Sequence, residues 1–72
     1  IDPAVIEEAV SQHPAVEMCA AIGQPDGYAG ELPVAYVMLK AGASATAGEV
    51  MAFANPRIAD PPARVKRIDI VE

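Results

Sequence analysis

Residues 15–39 read AVEMCAAIGQPDGYAGELPVAYVML, and they contain the two segments that most clearly predict β-strands. In residues 15–23, larger apolar side chains alternate with smaller or polar ones, which predicts a strand with at least one buried face. Residues 32–39 are apolar almost throughout, and their valines and tyrosine favour a second strand. The polar, glycine-containing residues 24–31 have the length of a connection between neighbouring strands. We therefore expect the two strands to pair antiparallel.

One helix is predicted on each side of these two strands. Asp2 suits the capping position of a helix and Pro3 suits its first turn. Apolar side chains then recur at three- and four-residue spacing until Pro14 ends the run. Farther along, Thr46 and Glu49 have the spacing of a capping box, in which each side chain satisfies a free backbone amide at a helix start.

The end of the chain predicts a third strand. Pro56 removes a helical hydrogen bond and introduces a clash, so we expect the second helix to kink or break near Asn55. The sequence DPP at residues 60–62 is a stiff connector, and RIDIV at residues 67–71 alternates as a strand. The order is thus α-β-β-α-β, an α+β fold whose last strand–helix–strand unit should cross over right-handed. Placing the last strand beside the first gives a three-stranded antiparallel sheet with both helices on one face.

The composition narrows the class of protein. The 72 residues suffice for one domain of thin stability, and the net charge of −5 argues against non-specific nucleic-acid binding. No stretch approaches the roughly 18 apolar residues that a membrane span needs. A single cysteine, Cys19, excludes an internal disulfide and leaves no zinc-type cluster, so we expect no metal site. These features fit a cytoplasmic protein.

Four of the five basic residues fall in one late segment. They are Arg57, Arg64, Lys66 and Arg67, whereas Lys40 lies outside it. One interpretation is a solvated surface beside a strand, and the other is a patch that faces phosphates or another domain. Charge alone leaves both interpretations open.

Side chains that commonly carry catalysis are few. His13 lies on the apolar side of a helix end, which favours a structural or solvent-facing role. Cys19 lies in a predicted strand without a histidine that the sequence can place beside it, so we expect a small buried side chain. Glu7 and Glu8 are adjacent on a helix, and their side chains therefore diverge. We predict no catalytic residue in this chain.

Three segments, taken in order, carry a resemblance: IDPAVIEEAV, HPAV and IGQPDGYAGELPVAYVMLKAGA. Together they are similar to the C-terminal domain of the adenylate-forming (AMP-binding) enzymes, in the fatty-acyl-CoA ligase-like branch of acyl-CoA synthetases. The resemblance runs from Ile1 to about Ala47 and continues more loosely to Glu72. It implies that residues 1–72 are a single partial domain that lacks the family's hinge loop and its catalytic-lysine segment.

The resemblance also implies a function for a longer parent enzyme. Such enzymes make an acyl-adenylate from a carboxylic acid and ATP, release pyrophosphate, and pass the acyl group to coenzyme A with release of AMP. The implied cofactors of the parent are ATP, Mg and coenzyme A, whereas the fragment alone is expected to bind none of them and to be inactive. The implied partner is the large N-terminal adenylation domain, against which the small domain swings between two orientations.

Five residues receive a role from the resemblance. Asp26, Gly30, Glu31 and Pro33 match the family's PD…GE.P pattern, which implies turn geometry and contact with the other domain. Arg57 falls near a basic residue that faces the phosphates of coenzyme A in some members, and a guanidinium suits that task. An alternative from a different class is a free-standing binding or dimerisation module of the same fold, with weak self-association through exposed sheet edges.

Overall fold

The computed structural model describes residues 1–28 and 30–72. Along the chain these residues form α1 (Pro3–Ser11), β1 (Val16–Asp26), β2 (Gly30–Leu39), α2 (Ala47–Ala54) and β3 (Arg67–Val71). Two short 3₁₀ turns, Asn55–Arg57 and Pro61–Ala63, connect α2 to β3. The predicted order α-β-β-α-β is confirmed.

Both helices begin where the sequence predicts. The Asp2 carboxylate accepts a hydrogen bond from the Ala4 amide (3.2 Å), and Pro3 is the first residue of α1. The Thr46 hydroxyl oxygen accepts from the Glu49 amide (3.1 Å) and so caps α2. The other half of the predicted capping box differs, because the Glu49 carboxylate accepts from the Thr46 hydroxyl (3.2 Å) and not from a backbone amide.

The predicted break at the end of the second helix is confirmed. α2 ends at Ala54, and the 3₁₀ turn that follows contains Pro56. The Asn55 side chain holds this turn against the segment before β3. Its oxygen accepts from the Val65 amide (3.0 Å), and its nitrogen donates to the Val65 carbonyl (3.1 Å). This pair of bonds fixes the α2–β3 connection against the end of α2.

The strands of the hairpin are longer than predicted. β1 extends to Asp26 and β2 begins at Gly30, so most of the residues assigned to a loop, 24–31, are paired. The Asp26 carboxylate accepts from the Tyr28 amide (3.1 Å), which supports a tight turn directly after β1. Polar residues therefore continue the ladder at this end of the sheet, since backbone pairing does not require apolar side chains.

The position of the last strand differs from the prediction. The strand order is β1-β2-β3, and β3 pairs with β2 in parallel, with Ala35 opposite Ile68. The expectation that the last strand lies beside the first in an antiparallel sheet was wrong, and the sheet is mixed. The physical reason is the burial of β2. Its residues Ala35 and Val37 have no exposed surface, as expected for a central strand, and α2 supplies the helical crossover that parallel neighbours need.

Both helices lie on one face of the sheet, as predicted. α1 contacts β1, α2 contacts β3, and the two helices contact each other. The core between helices and sheet consists of aliphatic side chains that are almost completely buried. Its members include Ile6, Val10, Val16, Val37, Val50, Ala54, Ile58, Val65 and Ile68.

The opposite face of the sheet is not covered by α1 or α2. Met18, Ile22 and Val71 lie on this face by strand alternation and are 61%, 42% and 42% exposed. Arg67 on β3 donates a hydrogen bond to the Gln24 side chain on β1 (2.8 Å) and so spans β2 on the same face. The face therefore combines an apolar region with a polar bridge.

Ile6 and Ile22 provide a matched test of which face of the sheet forms the core. Ile6 has no exposed surface, whereas Ile22 is 42% exposed. We expect Ile6→Ala to lower the free energy of unfolding by about 2–5 kcal/mol, because it removes buried apolar surface and leaves a cavity. Ile22→Ala should lower it by less than about 1 kcal/mol. Urea unfolding followed by circular dichroism measures both, and equal effects would contradict this core.

Candidate functional site

Arg57, the candidate phosphate contact, lies exposed at the surface just after α2. Its Nη1 atom donates to the Phe53 carbonyl (2.7 Å), and its guanidinium carbon is 3.6 Å from the centre of the Phe53 ring. The hydrogen bond uses one nitrogen and the ring covers one side of the guanidinium, so the group has a defined orientation. A cation held in this way can present its other N–H groups to an anion.

His13 supports the same aromatic ring. Its ring centre is 4.9 Å from that of Phe53, and the interplanar angle of 72° places the rings edge to face. The Nδ1 atom of His13 accepts from the Ala15 amide (3.0 Å), which leaves Nε2 as the nitrogen that carries the proton. These contacts fit the structural role predicted for His13.

Two other arginines of the late basic segment are engaged within the domain. The Nε atom of Arg64 donates to the Ile58 carbonyl (3.0 Å). Arg67 bonds to the Gln24 side chain and lies 3.3 Å from the Asp69 carboxylate. For these two arginines the contacts support a structural surface role over a phosphate-facing patch.

Asp26 and Gly30 are partners at the end of the hairpin. Because the Asp26 carboxylate accepts from the Tyr28 amide, it shapes the turn. Gly30 has a φ of +86°, a left-handed conformation that side chains disfavour. Tyr28 is fully exposed. Turn geometry thus accounts for two positions of the PD…GE pattern, and the turn leaves an aromatic side chain projecting into solvent.

Glu31 faces the start of α1. Its Oε1 atom accepts from the nitrogen of Ile1 (2.8 Å). Its carboxylate also lies over Gly23 on the neighbouring strand, where an added Cβ would be 2.7 Å from Oε2. An open groove beside Glu31 is also lined by Asp2 and Asp60. Three acidic residues along one groove disfavour the binding of phosphate groups.

The candidate residues form two separate groups at opposite ends of α1. Glu31 contacts Ile1, which precedes α1. Arg57 stacks on the Phe53 ring, and this ring contacts His13, which follows α1. The 9 residues of α1 span roughly 13 Å. The structure therefore brings the three hairpin residues together and places the arginine apart from them.

Sequence reasoning missed two supporting residues. Phe53 lies four positions before Arg57, a spacing that places side chains on the same side of a helix. Their contact could therefore have been predicted from the sequence. Glu7 accepts from the Ala21 amide on β1 (3.0 Å), and the two residues are 14 positions apart. No spacing rule connects such a pair, because the contact depends on how the helix lies on the sheet.

Cys19 is partly buried in β1, and burial, together with the nearby Glu7 carboxylate, raises the pKa of its thiol to about 11. The thiol is therefore protonated at neutral pH, which argues against a role as a nucleophile. This state fits the small buried side chain that the sequence predicts.

Within residues 1–28 and 30–72, no three His, Cys, Asp or Glu side chains are grouped so that they could hold a metal ion. Among the helices of the same ranges, none has the length and apolar character that crossing a bilayer requires.

Known proteins resemble this chain over most of its length. Residues 5–72 match the family described as AMP-binding enzyme C-terminal domain. The chain is 49% identical over 63 residues to marinolic acid–CoA ligase of Pseudoalteromonas sp. (strain SANK 73390). This alignment covers 88% of this chain and 10% of that protein. The chain is also 44% identical over 59 residues to a long-chain-fatty-acid–CoA ligase of Bacillus subtilis (strain 168). This second alignment covers 82% of this chain and 10% of that protein.

Solved structures agree with the sequence relatives. An acyl-CoA synthetase of Brucella canis superimposes with a TM-score of 0.86 at 32% identity, over 99% of this chain and 14% of that chain. The chain spans about a tenth of the length of the curated relatives named above. It thus corresponds to a small part of a larger enzyme in each case.

Gly30 and Gly27 give a matched test of the hairpin turn. A Cβ at either position would meet no atom within 4 Å, but Gly30 has a φ of +86°. Gly30→Ala should lower the free energy of unfolding by about 1–2 kcal/mol through backbone strain. Gly27→Ala should change it by less than about 0.5 kcal/mol. Thermal unfolding measures both, and a neutral Gly30→Ala would show that the turn tolerates a side chain there.

The Cys19 thiol should react slowly with iodoacetamide near neutral pH and faster as the pH approaches 11, since the thiolate is the reactive form. Glu7→Gln removes the neighbouring negative charge, so it should shift this rise slightly to lower pH. Mass spectrometry over a pH series measures the rates, with the chain unfolded in urea as the reference. Equal rates for folded and unfolded chains at pH 7 would contradict the raised pKa.

Proposed function

The chain belongs to the AMP-binding enzyme C-terminal domain family, and on that basis we propose that it is the mobile small domain of an ATP-dependent acyl-CoA synthetase. The parent enzyme converts a carboxylic acid, ATP and coenzyme A to acyl-CoA, AMP and pyrophosphate, with Mg bound to ATP. The observation that carries this proposal is the similarity to CoA ligases along 82% and 88% of the chain. The isolated chain is inactive in this proposal. We also propose that the parent enzyme is cytoplasmic.

The rest of the parent enzyme supplies the substrate site. This chain covers 14% of the Brucella canis synthetase, so most of such an enzyme lies outside the similar region. Its partner in our proposal is the large N-terminal adenylation domain of the same polypeptide. The exposed apolar residues Met18, Ile22 and Val71 support domain contact, because exposed apolar patches commonly mark interfaces.

Arg57 is the residue that we assign to a phosphate of coenzyme A. Its guanidinium rests on the Phe53 ring and is tied to the Phe53 carbonyl, so it loses little conformational freedom on binding an anion. The groove that carries the Glu31 carboxylate lies at the other end of α1 and does not oppose this attraction at close range.

Asp26, Gly30 and Glu31 form the surface that we assign to contact with the large domain. The turn formed by Asp26 and Gly30 presents Tyr28 to solvent, and exposed aromatic side chains are frequent anchors of protein interfaces. Glu31 lies at the start of β2, and its carboxylate covers Gly23 on the neighbouring strand.

A domain exchange tests the proposed function. The chain replaces the similar segment of the Bacillus subtilis long-chain-fatty-acid–CoA ligase, to which it is 44% identical. We expect this hybrid to form acyl-CoA and AMP from a fatty acid, ATP and coenzyme A faster than the same enzyme without the segment. A folded hybrid that turns over no faster than the deleted enzyme would overturn the proposal.

In the same hybrid, Arg57→Ala should raise the KM for coenzyme A by about 10- to 100-fold, the range expected for loss of a charge-assisted hydrogen bond. The KM for ATP and the rate of adenylate formation should not change. Lys66→Ala removes an exposed charge of the same segment and serves as the control. Equal losses for both variants would assign the effect to overall charge, and no loss for Arg57→Ala would exclude it as a coenzyme A contact.

A further inference from the structure

A hydrogen bond between the outer edge of β1 and the Glu7 side chain has no part in the proposed function. In the described part of the sheet β1 pairs with β2 alone, so its other side is an edge. The N–H and C=O groups of such an edge can pair with a strand from another chain. At 11 residues β1 is long for an edge strand, which makes unwanted pairing a physical hazard.

Glu7 of α1 reaches the middle of this edge. Its Oε2 atom accepts from the Ala21 amide at 3.0 Å, in a partly buried position. In an antiparallel pair, backbone groups of successive residues point alternately toward the neighbouring strand and away from it. Because the Ala21 amide bonds to a helix side chain, it points away from β2 and is the kind of donor that an added strand would use.

The two ends of the same edge are blocked differently. The β1–β2 register shifts between Val16 and Met18, and such irregularities interrupt the repeat that strand addition needs. Pro25, four residues after Ala21, occupies a position whose N–H would also point outward, and proline has none. The opposite edge strand, β3, has 5 residues, and short edges recruit partners poorly.

We propose that Glu7 blocks strand addition at the β1 edge and so keeps the domain from self-association through its sheet. The same position of Glu7 adds to the effect of burial in raising the pKa of the Cys19 thiol, two residues before Ala21. The inference does not rest on the proposed function. It argues against the alternative of a dimerisation module that pairs through this edge.

Hydrogen exchange of the unaltered chain gives the first test. Cys19, Ala21 and Gly23 share the outward orientation by strand alternation, but Glu7 bonds to the Ala21 amide. The Ala21 amide should therefore exchange more slowly than the other two by at least about fivefold, the effect of one net hydrogen bond. Equal rates at the three positions, measured by NMR, would overturn the proposal without any variant.

Glu7→Ala and Glu8→Ala form a matched pair for the second test, because the glutamates are adjacent in α1 and Glu8 is exposed. At concentrations too low for dimers to form, Glu7→Ala should raise the exchange rate of the Ala21 amide by at least about fivefold. It should also produce a concentration-dependent dimer in sedimentation velocity. The unaltered chain and Glu8→Ala should remain monomeric at the same concentrations.

A third variant removes the donor itself. Ala21→Pro in the Glu7→Ala background deletes the outward N–H, and a proline is tolerated at an edge position whose N–H does not pair with the neighbouring strand. We expect this double variant to be monomeric again, with circular dichroism to verify its fold. A folded Glu7→Ala chain that stays monomeric, or a dimer that persists in the double variant, would overturn the proposal.

Discussion

β2 pairs with a strand on each side, and this double pairing positions the other elements of the domain. Ala35 and Val37 have no exposed surface, because β1 and β3 flank them and the helices cover one face. Parallel pairing with β3 requires a crossover, so α2 must return the chain to the end of the sheet at which β2 begins. The break at Pro56 ends α2 and leaves Arg57 at the surface.

Patterns among neighbouring residues predicted the helices and strands. The order of the strands in the sheet depends on contacts between residues far apart in the sequence. The caps at Asp2 and Thr46 involve neighbours in the sequence, and both helices begin there. Alternation in RIDIV identifies a strand, but it does not say which strand lies beside it. The nearly unbroken apolar run of β2 was the available clue, since continuous apolar runs are typical of strands at the centre of a sheet.

The candidate site was predictable to a similar extent. The Phe53–Arg57 pair follows a four-residue spacing that the sequence displays. The bond from Ala21 to Glu7 depends on the packing of a helix against a strand, which no spacing expresses. Binding by a surface side chain depends on the shapes of both interacting molecules. In our proposal the second molecule is the large domain, which these 72 residues do not include.

The parallel pairing of β2 and β3 has a consequence for how the domain is assembled during synthesis. The β1–β2 hairpin closes over a short turn, and hairpins form in roughly 1–10 μs. β3 pairs with residues far back in the chain, as Ala35 with Ile68, so its docking must follow closure of a long loop. On the ribosome, one side of β2 therefore stays unpaired while α2 and its connection emerge. The sheet becomes complete after Val71, the last residue of β3, has left the exit tunnel.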